Sequence, residues 1–547
     1  MNPSRLHSSA LAGLLASVIA VPVWAHEGHE HTTKQYPVSK SPKSTVSGYV
    51  FQDANGNQRR DENEAGLSDV KVSNGRDIVM TNQDGKYEIG VDDDTIVFVI
   101  KPRGMMTPLN EVNLPQFYYI HKPAGSPPSK YPGVEPTGDL PNSVDFPLQP
   151  QDEPDQFRAL MFGDTQPRNV QEVEYMAHDV IDQIVAADAH GASLGVTLGD
   201  IVFNDLSVFE PHNQAVALIG IPWYNVLGNH DINMDAANDA MSDETFESIY
   251  GPAYYSFDYG PVHFMALDDV MWHGATDDQR GHYTGGLGEA QMEFIRNDLS
   301  MIPEDQLVVL MMHIPLIQVE DRQELYRLIE QRPFAMSLSA HTHFVKHHFI
   351  DEADGWKGPK PHHHVVNVTV CGSWWRGAPD ELGIPHATMS DGGPNGYSIL
   401  SFDGTQYDLE FHAARRPEDY QMNIHLPPVV DVAETLQTPV IVNVFNGTTM
   451  SKTRMRVLPD GDWREMERVE GVDPYFGDLK ESELGENPPQ GSTLPGPSLT
   501  DHLWRAFLPA SMPAGTHMVE VETTDMHGKT YTDRESIRVV APPKRQR

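Results

Sequence analysis

The sequence predicts a mixed α/β core with a small all-β sandwich on either side of it. Two observations point to the core. Five short apolar runs, at 159–162, 194–198, 221–227, 307–312 and 334–338, each end in polar residues able to bind a metal. Between the first two runs, Val170, Val173, Met176, Val180, Ile181 and Ile184 recur at helical spacing. A third observation predicts the flanks: both read as alternating strands broken by Asn, Asp, Gly and Pro turns.

Taken in order, the chain opens with a signal peptide at 1–25. Arg5 supplies its positive charge, 11–21 its apolar stretch, and Val23-Trp24-Ala25 a small-residue cleavage site. The apolar part is too short, and ends too soon at Pro22, for a membrane span. No transmembrane segment is expected elsewhere, so the mature protein is expected to be exported, periplasmic or extracellular. The only cysteine is Cys371, which rules out an intramolecular disulfide. A flexible segment at 26–43 begins with His26, His29 and His31. It is either a plain tail or a collector of Zn²⁺.

The stretch 44–149 is expected to be the first β-sandwich. Within it Asp53, Asn55, Asn57 and Asp61, with Glu64 beyond, have the oxygen-rich spacing that Ca²⁺ prefers. A plain Asx-rich turn is the alternative. This segment resembles the B-type repeats of bacterial surface adhesins and carboxypeptidase regulatory-like domains.

The core is expected over 155–411, with further amphipathic helices at 287–299 and 324–329 and a hairpin at 254–267. From 427 to 547 the alternation is again all β, and an immunoglobulin-like sandwich is expected. The Pro-, Gly- and acid-rich stretch 473–497 reads as a long surface loop. With 78 acidic against 39 basic residues the net charge is −39, which argues against nucleic-acid polymers as partners.

The polar blocks carry the chemistry. They are Gly163-Asp164-Thr165-Gln166, Gly199-Asp200, Gly228-Asn229-His230-Asp231, His313, and His341-Thr342-His343. Ligands at consecutive strand ends converge on one sheet edge, where open α/β folds place their sites. In order and residue type the blocks resemble those of the calcineurin-like metallophosphoesterase superfamily, in a bacterial subgroup with N- and C-terminal β-sandwich companions. Two positions depart from the usual pattern: Gln166 stands where His is commonest, and Ala340 where Gly is.

The resemblance implies a four-layer α/β/β/α core and two metal ions. Asp164, Gln166, Asp200 and His343 would hold one, and Asp200, Asn229, His313 and His341 the other, with Asp200 bridging. Mixed imidazole and oxygen donors suit Mn, Fe, Zn or Co. The implied reaction is hydrolysis of a small phosphomonoester or phosphodiester by a hydroxide bridging the ions. His230 would be the general acid, and Asp231 would hold its ring. Asn204 or Asp205 is a further candidate beside the site.

His362, His363 and His364 read as structural or solvent-facing, and His282-Tyr283 as a rim candidate. Trp374, Trp375 and Arg376 could stack a nucleotide-like substrate or, alternatively, plug an interface. A different class of function stays open: a surface-binding or adhesion protein with a degenerate phosphoesterase core.

Overall fold

A computed structural model describes residues 39–541 apart from Ser511. The expected signal peptide and the histidines at 26, 29 and 31 lie outside the described residues.

Two sheets form the core. The first has five strands, in the order Trp223–Val226, Leu194–Leu198, Gln156–Phe162, Gly396–Asp403 and Gln406–Ala413. Its first three strands are parallel, and Gly396–Asp403 then pairs antiparallel to Gln156–Phe162. The second has six strands, in the order Tyr255–Tyr259, Val262–Ala266, Leu307–Met311, Ala335–Ser339, His362–Val366 and Lys346–Ile350. Its four inner strands are parallel, with one antiparallel strand at each edge.

The layers follow from alternation. Along Gln156–Phe162, Phe157, Ala159 and Met161 enter the apolar cluster shared with the second sheet, while Leu160 and Phe162 enter another. That other cluster holds Val173 and Met176 of helix Val170–Met176 and Val216 of helix Phe209–Ala217. The outer face of the second sheet is covered by Gly288–Leu299 and Arg322–Ile329 through Phe294, Ile295, Leu325 and Ile329. The core is therefore helix, sheet, sheet, helix. Leu307–Met311, covered on both faces, is apolar throughout and every residue of it is buried. Each such side chain contributes roughly 1.5–3 kcal/mol on leaving water.

The N-terminal sandwich pairs two four-stranded sheets, one built on Ser44–Gln52 and one on Lys71–Ser73. It shares its apolar core with the α/β unit: Phe117 and Tyr255 rings lie 5.0 Å apart, and Phe98 and Phe294 rings 5.8 Å. A buried ion group crosses the same contact. Lys71 Nζ is 2.5 Å from Asp298 Oδ1, whose other oxygen is 3.1 Å from His263 Nε2.

The C-terminal sandwich joins a four-stranded and a five-stranded sheet around Val440, Val442, Trp504, Val519 and Val521. One expectation is corrected there. The stretch read as a loop from 473 begins with a helix, Pro474–Glu483, capped by the Asp473 side chain accepting from Phe476 N–H and anchored by buried Phe476. Asp followed by Pro is a helix start, and the acid-rich composition hid it. Of the two readings for His362, His363 and His364, structural or solvent-facing, the structural one holds: they lie inside a strand and are buried, with His362 Nε2 2.8 Å from Ser337 Oγ.

Candidate metal centre

Five strands deliver the site. Three belong to the first sheet and are followed by Asp164, by Asp200, and by Asn229 with His230; two belong to the second and are followed by His313 and by His341 with His343. All five are parallel within their sheets, so their carboxyl ends share an edge. The two edges are tied by an isolated bridge between Gly163 and Thr369.

The loops that turn the side chains inward are unusual in conformation. Asp164, Gln166, Asp200, His341 and His343 all have positive φ, from 24° to 71°. Each such residue costs on the order of 1 kcal/mol or more and persists only where the surroundings fix it. Two glycines make room for them. A Cβ on Gly228 would lie 1.9 Å from Asp200 N, and one on Gly199 would lie 2.5 Å from His313 Nδ1.

All seven expected ligands come together. His313 Nε2 is 3.0 Å from Asn229 Oδ1, 3.2 Å from Asp200 Oδ1 and 3.1 Å from His341 Nδ1. His343 Nε2 is 3.7 Å from Asp164 Oδ1. The far ring nitrogens are committed: His313 Nδ1 is 2.9 Å from Leu198 O, and His343 Nδ1 is 2.5 Å from Gly372 O. A ring N–H donating to a carbonyl fixes the tautomer, leaving the lone pair of the other nitrogen for a metal. Gln166 departs from the expectation in one respect. Its Nε2 donates to Asp200 Oδ2 at 2.7 Å, and its carbonyl lies on the Cys371 side; turning the amide over would present oxygen in the same place.

The electrostatics call for positive charge. Burial alone would lower His313, but Asp200, Asp164 and Asp269 together lift it to about 10. Burial would raise Asp200, yet His313 and His230 hold it below the usual carboxylate range. Asp164 is pushed well up by burial, and its Oδ1 has no hydrogen-bond partner. Burial also lowers His343 to about 4 and His341 to about 3, keeping both rings in the neutral form that ligates. A buried unpartnered carboxylate oxygen among converging imidazoles fits a divalent cation.

The role expected for Asp231 is corrected. Its carboxylate accepts from the backbone N–H groups of Gly228, Ile201 and Val202 at 2.9–3.1 Å, so it fastens two ligand loops together. The His230 ring is held instead by Asn204, whose Oδ1 is 2.6 Å from Nδ1, and by Phe203, stacked at 4.4 Å between ring centres. Three backbone donors from two loops outcompete one imidazole for the aspartate. Asp205, the other neighbour considered, caps the turn at Ser207.

The tryptophan pair divides. Trp375 is buried and its Nε1–H donates to Thr165 O at 3.1 Å, so it packs under the site and is not a substrate contact. Trp374 is half-buried and stacks on His343 with ring centres 4.0 Å apart, and the Arg376 guanidinium lies 5.6 Å over the Trp374 ring. Tyr283 does reach the rim, its ring 6.1 Å from that of His341.

Two contributors escaped the sequence reading. Phe203 carried no polar signal. Asp269, whose Oδ1 accepts from the N–H groups of His313 and Ile314 at 3.1 Å, follows the strand Val262–Ala266 within three residues. A polar pair at the end of an apolar run was the available clue.

In the N-terminal sandwich Asp53, Asn55, Asn57, Asp61 and Glu64 gather in one loop. Asp53 accepts from the N–H groups of Gly56, Asn57 and Gln58, Glu64 from those of Ala54 and Asp61, and Asp61 from both Asn side chains.

The model for calcineurin-like phosphoesterase matches residues 157–345. The models for its N terminal and C terminal companions match 54–131 and 364–531. No curated protein matches the chain. Among solved structures, a dimetal phosphatase from Danio rerio is 12% identical over 48% of this chain and 97% of its own, with a TM-score of 0.32. A purple acid phosphatase from yellow lupin (Lupinus luteus) seeds is 13% identical over 63% of this chain and 67% of its own, with a TM-score of 0.34.

Proposed function

This chain belongs to the calcineurin-like phosphoesterase family, and on that premise we propose that it is an exported hydrolase of small phosphomonoesters or phosphodiesters that works with two divalent transition-metal ions. The observation that carries the reading is the convergence of Asp164, Asp200, Asn229, His313, His341 and His343 around an unpartnered carboxylate oxygen. When bound, two such ions would neutralise phosphoryl charge and bring the pKa of the attacking water toward roughly 7.

The residues of the chain do the remainder. Asp164, Gln166, Asp200 and His343 would hold one ion, and Asp200, Asn229, His313 and His341 the other. The imidazole and oxygen donors favour Mn, Fe, Zn or Co over Mg or Ca. His230, with Nδ1 engaged by Asn204, keeps Nε2 for delivering a proton to the leaving oxygen. Trp374 and Arg376 offer a ring face and a cation beside His343, which suits a nucleotide-like substrate with a second phosphate. No helix among the described residues is long and apolar enough to cross a membrane; export rests on the charged, apolar and small-residue order of 1–25.

The test uses metal-stripped protein reloaded with Mn²⁺, Fe²⁺, Zn²⁺ or Co²⁺ and assayed on p-nitrophenyl phosphate and bis-p-nitrophenyl phosphate. Metal-dependent release from at least one ester is expected. Two ions bound per chain with no hydrolysis of either would overturn the proposal.

A further inference from the structure

A second group of metal-competent side chains stands apart from the centre described above. His190 lies in the short turn Asp188–Gly191, His412 in the edge strand Gln406–Ala413, and Glu418 in the segment that leaves that strand. Each offers one ligand atom within 4.8 Å of the other two. None hydrogen-bonds to a residue of the dinuclear centre.

The geometry fits a tetrahedral ion. With ligand bonds of about 2.0–2.2 Å, two ligands of a tetrahedral site lie about 3.3–3.5 Å apart. His190 Nδ1 is 3.7 Å from Glu418 Oε1, and the two imidazole centres are 4.9 Å apart at 59°. His190 is also oriented from behind. Its Nε2 is 2.8 Å from the Tyr397 hydroxyl, whose pKa burial raises, keeping it neutral. With the ring proton on Nε2 the tyrosine oxygen accepts it, and the Nδ1 lone pair is left on the Glu418 side. Tyr397 further stacks on His412 at 5.2 Å, fixing the second ring against the first.

The backbone supports the same placement. Asp188, Ala189 and His190 have φ of 51°, 51° and 53°, three successive left-handed residues none of which is glycine. The turn is retained with the His190 carbonyl bonded by Arg158 Nη1 at 3.2 Å. Burial, with His412 alongside, lowers the His190 pKa and keeps the ring neutral. The imidazoles are sheltered, at 10% and 6% side-chain exposure, while Glu418 is 76% exposed, so an ion can enter from solvent. Glu410, 3.6 Å from His412 Nε2, is a second carboxylate within reach.

We propose that His190, His412 and Glu418 form a separate, structural Zn²⁺ site. Two imidazoles and one carboxylate match Zn²⁺ better than Ca²⁺ or Mg²⁺, with Glu410 or water in the fourth position. The ion would clamp the segment running toward the C-terminal sandwich onto the turn after the first core helix.

The test counts zinc per chain after equilibrium dialysis in full-length protein, comparing wild type with Glu418→Gln, His412→Gln and Asp200→Asn. Glu418 is exposed, so its variant keeps the fold even if His412→Gln does not. The expected result is one ion fewer in Glu418→Gln, with hydrolysis of bis-p-nitrophenyl phosphate unchanged, and one ion retained at this site in Asp200→Asn. Equal zinc in Glu418→Gln and wild type overturns the site. So does a Glu418-dependent ion that disappears from Asp200→Asn, because that ion would belong to the dinuclear centre.

Discussion

On the proposed mechanism, replacing His230 or its partner Asn204 should separate proton delivery from metal binding. The backbone N–H of His230 donates to Asp200 Oδ1 at 2.9 Å, and its ring is fixed by Asn204 and Phe203. His230→Ala keeps that backbone bond, so both metals should stay. The rate should fall by about 10²–10⁴, the range for a positioned general acid, or about 3–5 kcal/mol of barrier. Asn204→Ala leaves the imidazole present but removes its 2.6 Å bond. One hydrogen bond contributes about 0.5–1.5 kcal/mol, so a loss of roughly 2- to 13-fold follows. The assay compares kcat on p-nitrophenyl esters, whose leaving group departs readily without protonation, with kcat on alkyl esters, whose leaving group does not. Both variants should lose more on the alkyl esters, with unchanged metal content. Equal losses on the two classes, or loss of metal along with activity, would refute the assignment.

Three further outcomes are expected. Asp200→Asn should release both ions and abolish turnover if, as proposed, one carboxylate serves both; near-full activity with two ions bound would contradict it. Trp374→Ala and Arg376→Ala should raise KM for a nucleotide-like ester and spare a small aryl phosphate. Trp375→Ala should instead lower Tm and cost about 3–5 kcal/mol of stability, since its ring is buried; the reverse pattern would undo the division of the pair. The third concerns pH. Burial holds His347, His348 and His362 down to about 4 in the fold, against about 6.5 for a free imidazole. The unfolded chain therefore takes up protons first on acidification. Stability from these rings is present above about pH 6.5 and is lost as pH falls toward 4, on the order of 3 kcal/mol for a fully buried ring. Carboxylates depressed in the fold act only below about pH 5, so a decline in Tm already visible by pH 5.5, and reduced in His362→Gln, identifies the histidines. A flat Tm from pH 7 to 5 would remove this explanation.

Trp374 and Trp375 show how adjacent residues acquire opposite roles. Both have positive φ, 57° and 51°, so the chain turns sharply and sends one ring to His343 and the other under Thr165. Periodicity carries no information about such a turn. Asn204 against Asp231 is a similar case. Either residue type can orient an imidazole, and only the position of the Gly228, Ile201 and Val202 amides decides that the aspartate is already engaged.

By itself the sequence determined what is local or repeated: apolar runs long enough to be buried strands, helical spacing between them, β alternation in the flanks, and the types and order of the seven candidate ligands. These survive as Gln156–Phe162, Leu194–Leu198, Leu307–Met311 and their polar ends, because strand burial depends on nearest-neighbour pattern. The tertiary structure decided whatever depends on contacts distant along the chain. It joined the N-terminal sandwich to the α/β core through Phe98, Phe117 and the Lys71–Asp298 pair. It gave His230 to Asn204 and Trp375 to the interior. It also brought His190, His412 and Glu418 within one ion's reach across more than two hundred residues of sequence. Hydrogen-bond competition and ring packing act only once the sheets have met, so no local pattern can encode them.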